Sequence, residues 1–131
     1  MNEVFAFEQL DVYKVARAYV RNIYSLSEKF PQKENFALTS QIRRAAVSIT
    51  SNIAEGTSRF SVKDKSHFIE IAYGSLMETY SQLQVASDLG YITQLDIEQQ
   101  HPLVVELRNR LSALRKSYMS KTVECGKCKD E

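Results

Sequence analysis

The sequence predicts an all-α fold, an up-down-up-down antiparallel four-helix bundle, and three observations carry that prediction. Apolar residues recur at steps of three and four through four long segments. Only 4 Gly and 2 Pro occur among 131 residues, too few turn signals for an all-β chain of this length. The connections between the periodic segments are short, roughly three to eight residues, which favours antiparallel neighbours.

The first segment covers about residues 8–29. Val12, Ala16, Tyr19, Val20, Ile23 and Phe30 line one side, with Lys14, Arg17 and Arg21 on the other. Pro31 and the polar run that follows end it. The second covers about 38–58. Thr39 or Ser40 is its expected N-cap, and Gly56 reads as a C-terminal signal. The third starts after Ser61, with Asp64 where a capping-box acid belongs, and runs to about Leu89 before Gly90. Phe68, Ala72, Leu76, Leu83 and Ala86 are its core positions, and Gly74 and Ser75 would allow a close helix approach. The fourth begins after Thr93 and runs to about Ser120, with Val104, Leu107, Leu111, Leu114 and Tyr118 as its seam. Pro102 falls inside it, where a missing N–H and a ring clash favour a bend or break. Residues 1–121 thus form one domain, followed by a flexible polar tail over 122–131.

Composition narrows the function classes. Lys plus Arg number 17 against 16 Asp plus Glu, a formal charge of +1, so the chain lacks the strong basic excess of a dedicated nucleic-acid binder. No apolar run approaches the ~20 residues that span a bilayer, and the N-terminus does not read as a signal peptide, so a cytoplasmic location is expected. Both cysteines, Cys125 and Cys128, lie near the C-terminus, so no disulfide framework is expected to hold the fold.

The second segment holds the most informative pattern. Beside the apolar stripe of Leu38, Ile42, Ala45, Ala46, Ile49 and Ile53 runs a mostly uncharged polar one: Gln41, Arg44, Ser48, Asn52, Glu55 and Arg59. A solvated helix face carries Lys and Glu almost at random, whereas Gln, Ser and Asn make directional hydrogen bonds. The stripe therefore reads either as a subunit or partner interface, with Arg44 and Arg59 pairing to carboxylates such as Glu78 or Glu55, or as an internal network that fixes the second helix against its neighbours.

Other patterns carry less. Glu98 and His101 have the spacing of a carboxylate-bundle metal motif, but the chemistry needs a second copy, and His67 with Glu70 runs in reverse order. Cys125 and Cys128 form a lone CxxC, two ligands short of a zinc site. Lys14, Arg17 and Arg21 form one basic set that could touch phosphate, and Arg108, Arg115 and Lys116 form another. No catalytic constellation, cofactor, membrane partner or small-molecule substrate is expected.

One stretch carries a family resemblance: SQIRRAAVSITSNIAEG at 40–56, preceded by Phe7–Leu10, Val12, Ala16, Ile23–Tyr24, Phe30–Pro31 and Phe36. Phe68, Ile71–Ala72, GSLME at 74–78 and LGYI at 89–92 continue it. On these residues, over about 5–118, the chain resembles the 23S rRNA intervening-sequence proteins, small bacterial four-helix bundles. The resemblance extends to a related branch, the accessory variability protein of diversity-generating retroelements, a basic homopentamer that binds nucleic acid and a reverse transcriptase. It implies a cyclic homo-oligomer, with a pentamer the best guess, and an RNA, DNA or protein partner. The near-zero net charge departs from that branch. Independently, Tyr13, Tyr24, Tyr73, Tyr80, Leu89 and Ile92 offer more aromatic and apolar surface than a bundle of this length must bury, which points to self-association.

Overall fold

The computed structural model describes residues 2–130, with side chains as far as residue 120. Among these it forms four α-helices, α1 (Asp11–Ser27), α2 (Leu38–Ser58), α3 (Val62–Asp88) and α4 (Gln94–Asp130), and no strand. Short 3-10 turns at Ala6–Gln9 and Gln32–Glu34 precede α1 and α2. Each helix packs on the next, and α4 closes back onto α1. No helix of the described residues is long and apolar enough to cross a membrane. The tail expected over 122–131, with Cys125 and Cys128, lies outside the residues described in full.

The helix ends follow from local chemistry, with some departures from expectation. The first helix begins three residues later than its periodicity suggests, because Leu10 is extended and Ala6–Gln9 forms a separate turn. That turn sets the Phe7 ring edge-on against Tyr13, 5.0 Å between centroids. At α2 neither Thr39 nor Ser40 is the cap. Ala37 holds the N-cap position, and the Leu38 N–H donates to Glu34 Oε1 at 3.3 Å. At α3 the Asp64 N–H donates to Ser61 Oγ at 3.0 Å, as the sequence predicts. Thr93 and Asp96 cap α4 reciprocally: the Thr93 N–H donates to Asp96 Oδ2 and the Asp96 N–H to Thr93 Oγ1. Gly90, at φ +81°, ends α3 in the left-handed region where a side chain would be strained. The α4 helix runs through Pro102 without interruption, so of the expected bend or break the break does not occur. The carbonyl of Glu98 loses its donor there, but both residues are exposed and water can take its place.

The core is the expected apolar set with one exchange, Tyr19, Ile23, Ile42, Ile49, Ile53, Leu76, Leu83, Leu107 and Leu111 being fully buried. On α3 Ile69 enters the core where Phe68 was expected, and Phe68 is half-buried under Arg59. Two polar links cross it. The buried Tyr19 and Thr79 hydroxyls lie 2.8 Å apart. Thr79 already donates to the Leu76 carbonyl at 2.7 Å, so the Tyr19 O–H must be the donor between them. Burial pushes the Tyr19 pKa up to about 12. Asn22 Nδ2 donates to Gln100 Oε1 at 2.9 Å, tying α1 to α4. The α2–α3 pair is tightest at Gly56. A Cβ there would lie 3.1 Å from the Phe68 Cβ and 3.2 Å from the Lys65 carbonyl oxygen. Gly56 is therefore a packing glycine rather than a helix stop, and Arg59 is the C-cap. Gly74, expected to admit a neighbour, faces open space, whereas Ser75 beside it does meet α2.

Candidate interaction surface

The polar stripe of α2 divides into parts with different fates. Its centre is closed. Ser48 Oγ lies 2.9 Å from Ser75 Oγ of α3, and Asn52 Nδ2 donates to the Ser48 carbonyl at 2.8 Å and to Ser48 Oγ at 2.9 Å. All three residues are half-buried. This clasp joins α2 to α3 and answers to the internal-network reading. At the C-terminal end Arg59 pairs with Glu55 at 2.8 Å and lays its guanidinium 4.6 Å from the Phe68 ring centroid.

The N-terminal end is open. Gln41 and Arg44 are exposed and make no hydrogen bond or ion pair among the described residues. In the antiparallel pair joined at Ser48 and Ser75, Arg44 and Gln41 lie one and two turns before Ser48 on α2, toward the same end as Glu78 and Gln82, one and two turns after Ser75 on α3. The predicted Arg44–Glu78 pair is nonetheless not formed. Glu78 receives only a 3.3 Å hydrogen bond from Gln82 Nε2, and Gln82 Oε1 is buried without a partner. Along the same side of α3 stand Ile71, Val85 and Leu89, which are 38%, 45% and 54% exposed.

The apolar surplus expected from sequence is only partly at the surface. Ile92 is buried, and Tyr13, Tyr73 and Tyr80 pack half-buried against the core, because the bundle is wide enough to use their rings. Tyr24 and Leu89 remain exposed. Two residues that the sequence did not single out as apolar surface stand fully free: Phe36 just before α2 and Phe60 just after it. Both lie in connections without periodicity, so no pattern could mark them.

The two basic sets occupy different sides. Lys14, Arg17 and Arg21 line an open groove of about 560 Å³ between α1 and α2, with Tyr13, Val20 and Thr50. A neighbouring depression over α2 adds Arg43 and Arg44 beside Tyr24 and Phe36. No carboxylate lines either. Lys14 and Arg21 are unpaired, and Arg17 sits 5.9 Å from the Tyr13 ring centroid. Arg43 stacks 4.7 Å from the Tyr24 ring centroid and donates to Ser27 Oγ at 2.8 Å. In the α4 set Arg115 is neutralised by its pair with Glu70, whereas Arg108 keeps its charge and bonds the neutral Asn109 amide. Glu98 and His101 are exposed, and among the described residues no group of three or more His, Cys, Asp or Glu is placed to hold a metal ion.

A family model described as 23S rRNA-intervening sequence protein matches residues 8–113. A crystal structure of a protein with unknown function from the S23 ribosomal protein family of Bacteroides thetaiotaomicron is 24% identical, with a TM-score of 0.73. The match covers 80% of this chain and 95% of that one, and at that identity it shows a shared fold. No curated protein matches the chain.

Proposed function

The chain belongs to the 23S rRNA-intervening sequence protein family, and we propose that it is a cytoplasmic, non-enzymatic interaction module that self-associates through the outer face of α2 and α3. One observation carries this reading. Arg44 of α2 and Glu78 of α3 carry opposite charges, are both exposed and form no ion pair among the described residues, while Gln82 Oε1 is buried without a partner and Ile71, Val85 and Leu89 stand exposed on α3. A second copy brought against this face sets one copy's Arg44 on the other's Glu78 and covers the apolar row. Burying side chains of that size contributes about 1.5–3 kcal/mol each. A two-helix face roughly 30 Å long and 20 Å wide approaches the ~800 Å² per partner of a specific interface. In a ring of the five copies suggested by the family resemblance the contact is heterologous, the α2 edge with Arg44 of each copy meeting the α3 edge with Glu78 of the next; two copies set face to face would instead close as a dimer.

Light scattering of the purified chain across a concentration series tests this. A mass several times that of the monomer is expected, falling to one copy in Leu89→Asp and in Arg44→Glu. The double reversal Arg44→Glu with Glu78→Arg should restore it. A wild-type chain that stays monomeric at ~100 µM, weaker than any specific interface of standard size requires, sinks the proposal.

A second reading, contact with the phosphate backbone of structured RNA or DNA, is favoured by the α1–α2 groove. Five cations line it and its neighbour without a carboxylate. Lys14, Arg17 and Arg21 recur along α1 at about 4.5–6 Å of rise, and a cyclic assembly would repeat them around its axis. Anisotropy of a labelled structured RNA over a salt series tests it: binding that weakens steeply with salt supports the reading, and no binding at low salt removes it.

A further inference from the structure

We propose that the groove between α3 and α4 binds a small organic carboxylate with a short apolar body. Two adjoining depressions of about 280 and 310 Å³ share Glu70 and Arg115. One is walled by Ile69, Tyr73 and Leu111, with Lys116 at its rim. The other is lined by Lys63, Ser66, His67 and Met119. Two buried polar atoms in this groove have no partner among the described residues: Ser66 Oγ and Arg115 Nε.

Each is anomalous in a way that points to an absent acceptor. Ser66 is 5% exposed; of the other buried helix hydroxyls Ser27 and Thr79 have partners within the chain, and Thr39 Oγ1, like Ser66 Oγ, has none, but only Ser66 lines a groove beside a second unpartnered donor. A hydroxyl that costs desolvation and gains nothing within the chain makes physical sense when something else receives it. Arg115 commits one terminal nitrogen to Glu70 and leaves its Nε–H, a donor that cannot act as an acceptor, buried and unused. A carboxylate satisfies both donors. The charge around it is suitable, with Lys63, Arg115 and Lys116 against Glu70 alone. The Ile69–Tyr73–Leu111 wall then gives an apolar body a place to leave water. The groove is built from α3 and α4, whereas the proposed self-association joins the outer faces of α2 and α3, so the assignment does not depend on self-association.

Amide chemical-shift titration of the full chain with sodium hexanoate tests it, with hexan-1-ol and inorganic phosphate as comparison probes. The expected result is saturable shifts around Ser66, Glu70 and Arg115 with hexanoate, and at least tenfold weaker binding of the other two. Ser66→Ala should leave the fold intact, since the hydroxyl has no partner to lose, and weaken hexanoate about tenfold. Glu70→Gln should tighten it several-fold by removing the competing carboxylate. Failure of hexanoate to saturate overturns the proposal. So does equal binding of hexanol, equal binding of phosphate, or an unchanged affinity in Ser66→Ala.

Discussion

The centre and the N-terminal end of the α2 stripe carry the same kinds of side chain on one helix face, but only the centre is satisfied. Ser48 and Asn52 find Ser75 because short side chains fit where α2 and α3 lie close, and their hydrogen bonds close within the pair. Gln41 and Arg44 are longer and remain exposed, with no side-chain partner among the described residues. The difference teaches that polarity alone does not decide whether a stripe is scaffold or surface: the short Ser and Asn side chains close the α2–α3 gap with Ser75, and the longer Gln and Arg do not. The closed part contributes to stability, and the open part remains free for a partner.

Three substitutions sharpen that contrast. The largest effect belongs to the contact that sets the gap. Gly56→Val places two methyl groups where even a Cβ is tight against backbone and Phe68, and it should destabilise by about 3 kcal/mol. Denaturant unfolding measures this, and a cost under ~1 kcal/mol, the small end of overpacking penalties, would show that α3 yields easily. Next comes the clasp. Asn52→Ala removes two hydrogen bonds at a half-buried site and should cost about 1–2 kcal/mol, lowering the melting temperature by roughly 3–8 °C. At subunit concentrations well above the association midpoint its assembly mass should be unchanged. Arg44→Ala should do the reverse: a stability change within about 0.5 kcal/mol in the monomer, and loss of the oligomer. If Arg44→Ala and Asn52→Ala behave alike by both measurements, the division of the stripe is wrong.

Much of the fold was legible because its signals are local. The periods placed the cores of all four helices, and Ser61, Thr93 and Gly90 mark ends whose chemistry is complete within a few residues. The misses share a non-local cause. Thr39 looks like a cap but is buried inside the helix, which already starts at Leu38: the Leu38 N–H reaches Glu34 and the Gln41 N–H the Ala37 carbonyl. Gly56 resembles a stop signal, and only the neighbouring helix reveals that it is a contact. Pro102 resembles a breaker, yet its exposed position lets the helix continue. For the candidate site, the stripe itself was readable, whereas its division required the α2–α3 register. Phe36 and Phe60 had no periodic context to reveal them as surface.

The smallest predicted effect concerns the end of the bundle where α1, α2 and α4 converge, and it separates scaffold from surface by pH. There the Tyr91 hydroxyl donates to Glu34 Oε2 at 2.8 Å, and Lys29 pairs with Asp96 at 3.0 Å. The Tyr91 hydroxyl and the Leu38 N–H hold the Glu34 carboxyl below the usual carboxylate range. For Asp96 the Thr93 N–H is the main cause, with Lys29 adding to it. Both groups therefore bind a proton more weakly in the folded chain than in the unfolded one. Their contribution is fully present above the ordinary carboxylate range and is lost as the pH falls below about 4. These groups are largely solvent-accessible, so the loss is modest. Tyr91→Phe combined with Asp96→Asn should flatten the acid limb of a stability-versus-pH curve while leaving the oligomer mass at neutral pH unchanged. If acid loss instead tracks dissociation and vanishes in Arg44→Ala, the pH-sensitive contact lies on the α2–α3 face rather than in this clasp.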